Sequence, residues 1–158
     1  MELILQKRLI RESLGFKFLE RIFFDESLTN NELVNDLFIS QSTLNHLEQI
    51  IDEKLKSYGL RLESSPYKIT GDEHFIRSFY ARYFVEAYTS NEWPFESLEK
   101  DVIDNILPSA VDYYQSTSEV MNYKFFKFRF AVSLIRNLQG HSVKRFFLDN
   151  QFLAKKYQ

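Results

Sequence analysis

TNNELVNDLFISQSTLNHLEQIIDEKLKSYG, residues 29–59, is the stretch whose reading decides the fold. It divides into two helices about a tight turn. The first runs from Thr29 to about Leu37, with Leu33, Val34 and Leu37 on one face. Thr29 or Asn30 is its N-cap, and Glu32 stands three residues past Thr29, the spacing of a capping box. Phe38 and Ile39 fill the turn, and Ser40 caps the second helix. Leu44, Leu47, Ile51, Leu55 and Tyr58 then form an apolar stripe that stops at Gly59, a natural residue just past a helix end. A short helix, a brief turn and a longer helix is the helix-turn-helix pattern, whose second helix enters the DNA major groove. Helical hairpins with no DNA role share it, so periodicity leaves both readings open.

The segment after Gly59 changes period from 3.6 to 2. Leu60, Leu62, Tyr67 and Ile69 point one way, and Arg61, Glu63, Lys68 and Thr70 the other, about a turn at Ser64–Pro66. A β-hairpin directly after the second helix is the wing of a winged helix. Arg61 and Lys68 on its outer face suit phosphate contacts, or are ordinary solvated charges.

Composition agrees with a helical reading. Four Gly and three Pro leave little material for a turn-rich all-β fold. The absence of Cys excludes disulfides and thiolate metal sites. No apolar run approaches a membrane span and no signal-peptide core is present, so the expectation is a soluble, cytoplasmic protein without membrane partners. A net charge of −2 excludes a wholly basic nucleic-acid-coating surface. The charges are unevenly spread. Residues 86–119 hold eight acids and one base, whereas 121–158 hold eight bases and one acid. Oppositely charged helices facing each other, within the chain or across a dimer, explain this better than a nucleic-acid surface.

Outside the central pair, residues 2–24 read as helical throughout, with Leu5, Leu9, Phe16, Leu19, Ile22 and Phe23 toward the core and a break near Ser13–Gly15. Asp72 caps a helix to about Tyr88, lined by Phe75, Ile76, Phe79, Tyr80, Tyr83 and Phe84. Pro94 is placed to open another, with Leu98, Val102, Ile103, Ile106 and Leu107 buried and Pro108 ending it or starting a short successor. YKFFKFRF, 123–130, alternates like a strand, but the run from Val120 to Leu138 lacks a turn signal and reads as one long helix. A last helix is expected over 143–155.

LFISQSTL (37–44), KLKSYGLRL (54–62), Pro66 and ITGDEHFIRSFY (69–80) together resemble the Mga family of bacterial transcriptional regulators. The stretch is similar to that family's second, winged helix-turn-helix and the start of its PTS-regulation-like helical domain, and ESLGFKFLERIFF (12–24) resembles the helix leading in. The resemblance implies a mainly α protein: a winged helix-turn-helix with a small β-hairpin over 1–71, then a helical bundle domain over 72–158, incomplete beside the longer family pattern. It implies a DNA-binding transcriptional regulator partnered by double-stranded DNA, a homodimer, and phosphotransferase-system proteins as further partners. Family members commonly carry Arg or Lys soon after the STL motif; here Asn45, His46 and Glu48 follow. Base reading and phosphate contact then fall to Ser40, Gln41, Ser42, Thr43, Asn45, His46 and Gln49, with Arg61 and Lys68 on the wing. Between Ser40 and Tyr58 three acids face two bases, so the alternative is a protein-interaction or dimerisation module that has lost DNA binding.

Other chemistry finds little support. His141, in QGHS, is the one histidine whose position suits phosphorylation. No histidine pairs with another ligand at metal spacing, so no metal or other cofactor is expected. Glu96/Glu99 and Asp101/Asp104 read as a solvated helix face rather than an acid–base pair, and no Gly-rich phosphate loop occurs. An enzyme is not expected.

Overall fold

Ser13 splits the first helical run in two. In the computed structural model, which describes residues 2–89, 91–115 and 123–143, α1 spans Glu2–Glu12 and α2 spans Leu14–Phe24. Ser13 is extended, and its Oγ accepts the Phe16 N–H, starting α2 on a new axis. Against expectation, Leu5 and Leu9 are exposed. α1 attaches to the rest of the chain through its polar side: Lys7 Nζ donates to the carbonyls of Val85 and Glu86, and Arg11 pairs with Glu92 at 2.8 Å. Its aliphatic side therefore faces outward.

α3 (Asn30–Leu37) and α4 (Gln41–Lys56) form the helical pair. The Glu32 carboxylate accepts both the N–H and the hydroxyl of Thr29, at 2.7 and 2.8 Å. Leu44, Ile51 and Leu55 are buried and Leu47 is half-buried, whereas Tyr58 lies exposed in the turn past the helix. β1 (Arg61–Glu63) and β2 (Lys68–Thr70) pair antiparallel, with Arg61 opposite Thr70, Leu62 opposite Ile69 and Glu63 opposite Lys68. Tyr67 N–H donates to Leu28 O at 3.1 Å, stitching the hairpin to the connection ahead of α3. Gly71 closes the wing at φ 140°; a Cβ there would meet Leu60 Cδ2 at 2.7 Å. Only a residue without a side chain fits this close return.

α5 (Glu73–Ala87) packs chiefly against α7 (Tyr123–Leu138) and meets Phe16 and Phe23 of α2 through its aromatic side chains; α6 (Lys100–Gln115) comes between α5 and α7 in the chain. Pro94 opens no helix. Trp93 Nε1 donates to Leu98 O at 2.7 Å and Phe95 is fully buried, so 93–98 is anchored as a loop before α6 begins. On α6 Ile103 and Leu107 are buried, but Val102 and Ile106 are exposed, and Pro108 lies inside the helix. Residues 123–130 are helical. The helix expected over 143–155 lies outside the described residues apart from Val143, which is in no regular element.

The core explains the aromatic content. Phe23 lies tilted to Tyr80 at 4.5 Å and edge-on to Phe84 at 5.1 Å; Phe84 meets Phe95 edge-on at 5.1 Å, and Phe95 meets Phe128 edge-on at 5.6 Å. These rings make one continuous file from α2 through α5 to α7. Edge-to-face contacts of this kind add about 0.5–1.5 kcal/mol per pair beyond burial. The chain is mainly α, with a winged helix-turn-helix hairpin as its single sheet among the described residues.

Candidate nucleic-acid interface

Burial of Leu44, Ile51 and Leu55 fixes the rotation of α4, and with it the side chains that face solvent. Ser40, Gln41, Ser42, Thr43, Asn45, His46 and Gln49 are all exposed, so the structure brings the expected helix residues onto one accessible surface. Ser40 Oγ accepts the Thr43 N–H at 3.1 Å and lies 2.9 Å from Thr43 Oγ1. Gln41 Nε2 donates to Asn45 Oδ1 at 2.9 Å. That bond leaves Gln41 with its Oε1 acceptor and one N–H and Asn45 with its two N–H donors, all on exposed side chains. The spacing of four residues permits such a bond on a helix, so it was open to inspection in the sequence.

The acids of α4 are directed elsewhere. Glu48 accepts the buried Tyr67 hydroxyl of the wing. Burial, followed by that carboxylate, pushes the Tyr67 phenol well above its ordinary value, so it stays a donor. Asp52 Oδ1 accepts the Leu62 N–H at 3.0 Å and Arg61 Nε at 3.2 Å, while Oδ2 pairs with Lys56 at 2.9 Å. The Leu62 amide, then Lys56, brings the Asp52 carboxyl down to about 2. Two of the three acids thus fasten the wing to the helix, and Glu53 alone stays exposed without such a role. The acid–base count along α4 did not reveal this sorting, because a β-strand amide ten residues away supplies the partner.

The wing cations carry partners of their own. Arg61, 65% exposed at its side chain, is held by Asp52, and Lys68 pairs with Glu63 at 3.2 Å across the hairpin. Both remain on the outer face, as the alternation indicated, but with carboxylates beside them. Phe38 closes α3 in a left-handed conformation, φ 54°, with its ring 93% exposed beside the N-cap of α4.

His141 sits apart from this surface. Its Nε2 faces Glu26 Oε2 at 2.5 Å, and its carbonyl accepts from Arg77 at 2.8 Å. It borders a buried charge network in which Arg136 bonds Glu26 at 2.5 Å and Glu73 at 2.8 Å. Burial alone would raise the Glu73 carboxyl, but hydrogen bonds from Arg136 and Arg77 hold it below its ordinary value. The described bases after residue 121 bond within the chain. Lys127 pairs with Asp104, and Lys124 donates to the carbonyls of Val85 and Tyr88. Arg136 reaches acids outside the 86–119 stretch, so only part of the pairing follows the charge blocks.

Among the described residues no cluster of His, Asp or Glu gathers as a metal site, and no helix is long and apolar enough to cross a membrane.

Comparison with known proteins matches this geometry. The Mga helix-turn-helix domain model covers residues 3–84. The chain is 32% identical over 145 residues to the capsule synthesis positive regulator AcpB of Bacillus anthracis, covering 92% of this chain and 30% of that protein. It is 29% identical over 140 residues to the capsule synthesis positive regulator AcpA of the same organism, covering 86% and 28%. A putative trans-acting regulator of Streptococcus pneumoniae serotype 4 is 31% identical over 135 residues, covering 83% and 27%. The chain thus spans less than a third of the length of these curated relatives. With the helical pair, the wing and the family match all in residues 3–84, the chain belongs to the Mga family of regulators and carries its helix-turn-helix domain.

Proposed function

We propose that this chain binds double-stranded DNA by inserting the N-terminal half of α4 into the major groove, as part of a transcriptional regulator. One observation carries the reading: Gln41, Ser42, Asn45 and His46 are exposed together on the second helix of a helix-turn-helix whose opposite face is buried. Gln41 and Asn45 read base edges, and His46 and Gln49 follow along the groove. Ser40, Ser42 and Thr43 meet phosphate at the helix N-terminus, where the macrodipole favours an anion. Arg61 and Lys68 add phosphate contacts once they turn from Asp52 and Glu63. Residues 1–71 act as the DNA-binding unit and 72–158 as the helical unit that regulates it. Likeness to two relatives named as positive regulators favours activation over repression. A homodimer would set two α4 helices about 34 Å apart, one helical turn of DNA, and offset the weak cation content of each.

The test is a titration of the chain against duplex DNA across a range of salt. Binding with a steep salt dependence is expected, and Arg61→Ala and Lys68→Ala should each lower the log–log slope by about one. Gln41→Ala should weaken the preferred sequence by about 1–3 kcal/mol while sparing non-specific duplex. No binding at low salt would overturn the proposal.

A further inference from the structure

Away from the α4 surface, a cleft of about 800 Å³ opens between α2, residues 93–97 and the end of α7. Phe24, Tyr88 and Trp93 form its apolar walls, and Glu20, Glu96 and Gln139 supply polar groups. These polar groups have one character. Glu20 accepts the Tyr88 hydroxyl at 2.5 Å, and Glu96 is exposed with no ion pair among the described residues. Gln139 Nε2 donates to Phe23 O at 2.6 Å, and its Oε1 is left buried with no donor among the described residues. A buried acceptor without a partner costs about 1–3 kcal/mol. Arg21, the one cation of the lining, is paired with Asp36. Among the described residues the cleft therefore offers acceptors and negative charge, with no unpaired cation in its lining to meet an anion.

The rings carry the same preference. Arg11 lies 5.0 Å from the Tyr88 centroid and Lys127 lies 5.0 Å from that of Trp93, and each of these cations is balanced by its own carboxylate, Glu92 or Asp104. Aromatic faces attract positive charge through the ring quadrupole. We propose that this cleft is a binding site for a small organic cation, an amine with an apolar body. Its ammonium is held by Glu20 and Glu96, and its body lies against Phe24 and Trp93. A slight outward shift of Gln139 brings Oε1 to one of the ammonium N–H groups. Such a ligand would bridge α2, which supports the helix-turn-helix, and α7 of the helical unit. The inference is independent of DNA binding.

Trp93 is the only tryptophan in the sequence, so its fluorescence reports on this cleft alone. The full chain would be titrated with benzylamine, with benzyl alcohol as the uncharged isostere and benzoate as the anion. Saturable quenching by benzylamine is expected, at least tenfold tighter than by benzyl alcohol, with none by benzoate. Glu96→Gln, at an exposed position, and Glu20→Gln, which keeps an acceptor for Tyr88, should each weaken benzylamine at least fivefold. Equal responses to amine and alcohol, or none to the amine at millimolar concentration, would overturn the proposal. So would unchanged affinity in both variants. Quenching by an oligolysine peptide but by no small amine would reassign the cleft to a protein partner and likewise overturn it.

Discussion

Phe38 holds a backbone conformation that favours glycine, and its exposed ring gains almost nothing from burial in return. A left-handed L-residue costs about 1–2 kcal/mol, against about 0.5–1 kcal/mol of extra chain entropy lost by a glycine. Phe38→Gly should therefore raise stability by about 0.5–1 kcal/mol, read as a higher urea midpoint with unchanged slope. Asp52 makes the opposite kind of residue, useful because of what it accepts. Its carboxyl lies near 2 in the fold against an ordinary 3.8, so its contribution is present above 3.8 and is lost as pH falls from there toward 2. The stability difference between the native chain and Asp52→Asn should accordingly be constant near neutrality and shrink across that window, in urea titrations at stepped pH. At this scale the sequence disclosed much of the outward-facing set: once Leu44, Ile51 and Leu55 define an inner stripe, His46 and Gln49 must lie across from it and Asn45 to one side, while Gln41, on the Leu44 side, is exposed because it sits in the first turn of α4. It disclosed neither the left-handed Phe38 nor the Leu62 amide on Asp52. Both depend on how the turn and the wing meet the helix in space.

Among elements, α4 and the wing behave as one rigid piece because Glu48 and Asp52 bind the hairpin. That attachment leaves Glu63 as the wing acid that pairs outward, with Lys68. If the wing meets DNA as proposed, Glu63→Gln should free Lys68 and remove a negative charge beside it, strengthening duplex binding several-fold at low salt and little at high salt. A filter-binding or anisotropy series would check this. Elements with strong local rules were readable in advance: the capped pair around 38–40, the period-2 hairpin and the helix after Asp72. Two were misjudged for identifiable reasons. Pro94 suits a helix start, but Phe95 in the core and the Trp93–Leu98 hydrogen bond hold 93–98 in another shape. Leu5 and Leu9 suit a buried face, but the lysine and arginine contacts to the end of α5 and to Glu92 turned α1 the other way. Tertiary partners overrode a local preference in each case.

For the molecule as a whole, Arg136 is the joint. Only 1% exposed, it spans from Glu26, just ahead of the helical pair, to Glu73 at the start of α5, while Arg77 ties Glu73 to Asn137 and to the His141 carbonyl. Removing one member of such a buried set strands the others. Arg136→Met should cost about 3–5 kcal/mol, and adding Glu26→Gln should return part of it while Glu73 stays charged for Arg77, as equilibrium unfolding would measure. A loss below about 1 kcal/mol would show that the set is not held as described. The file of rings from Phe23 through Phe84 and Phe95 to Phe128 has a practical corollary. Severing the polypeptide after Gly71 would leave Phe16 and Phe23 bare to water, so residues 1–71 prepared alone would be sticky and poorly folded. Any work on the helix-turn-helix is best done with its neighbour still attached.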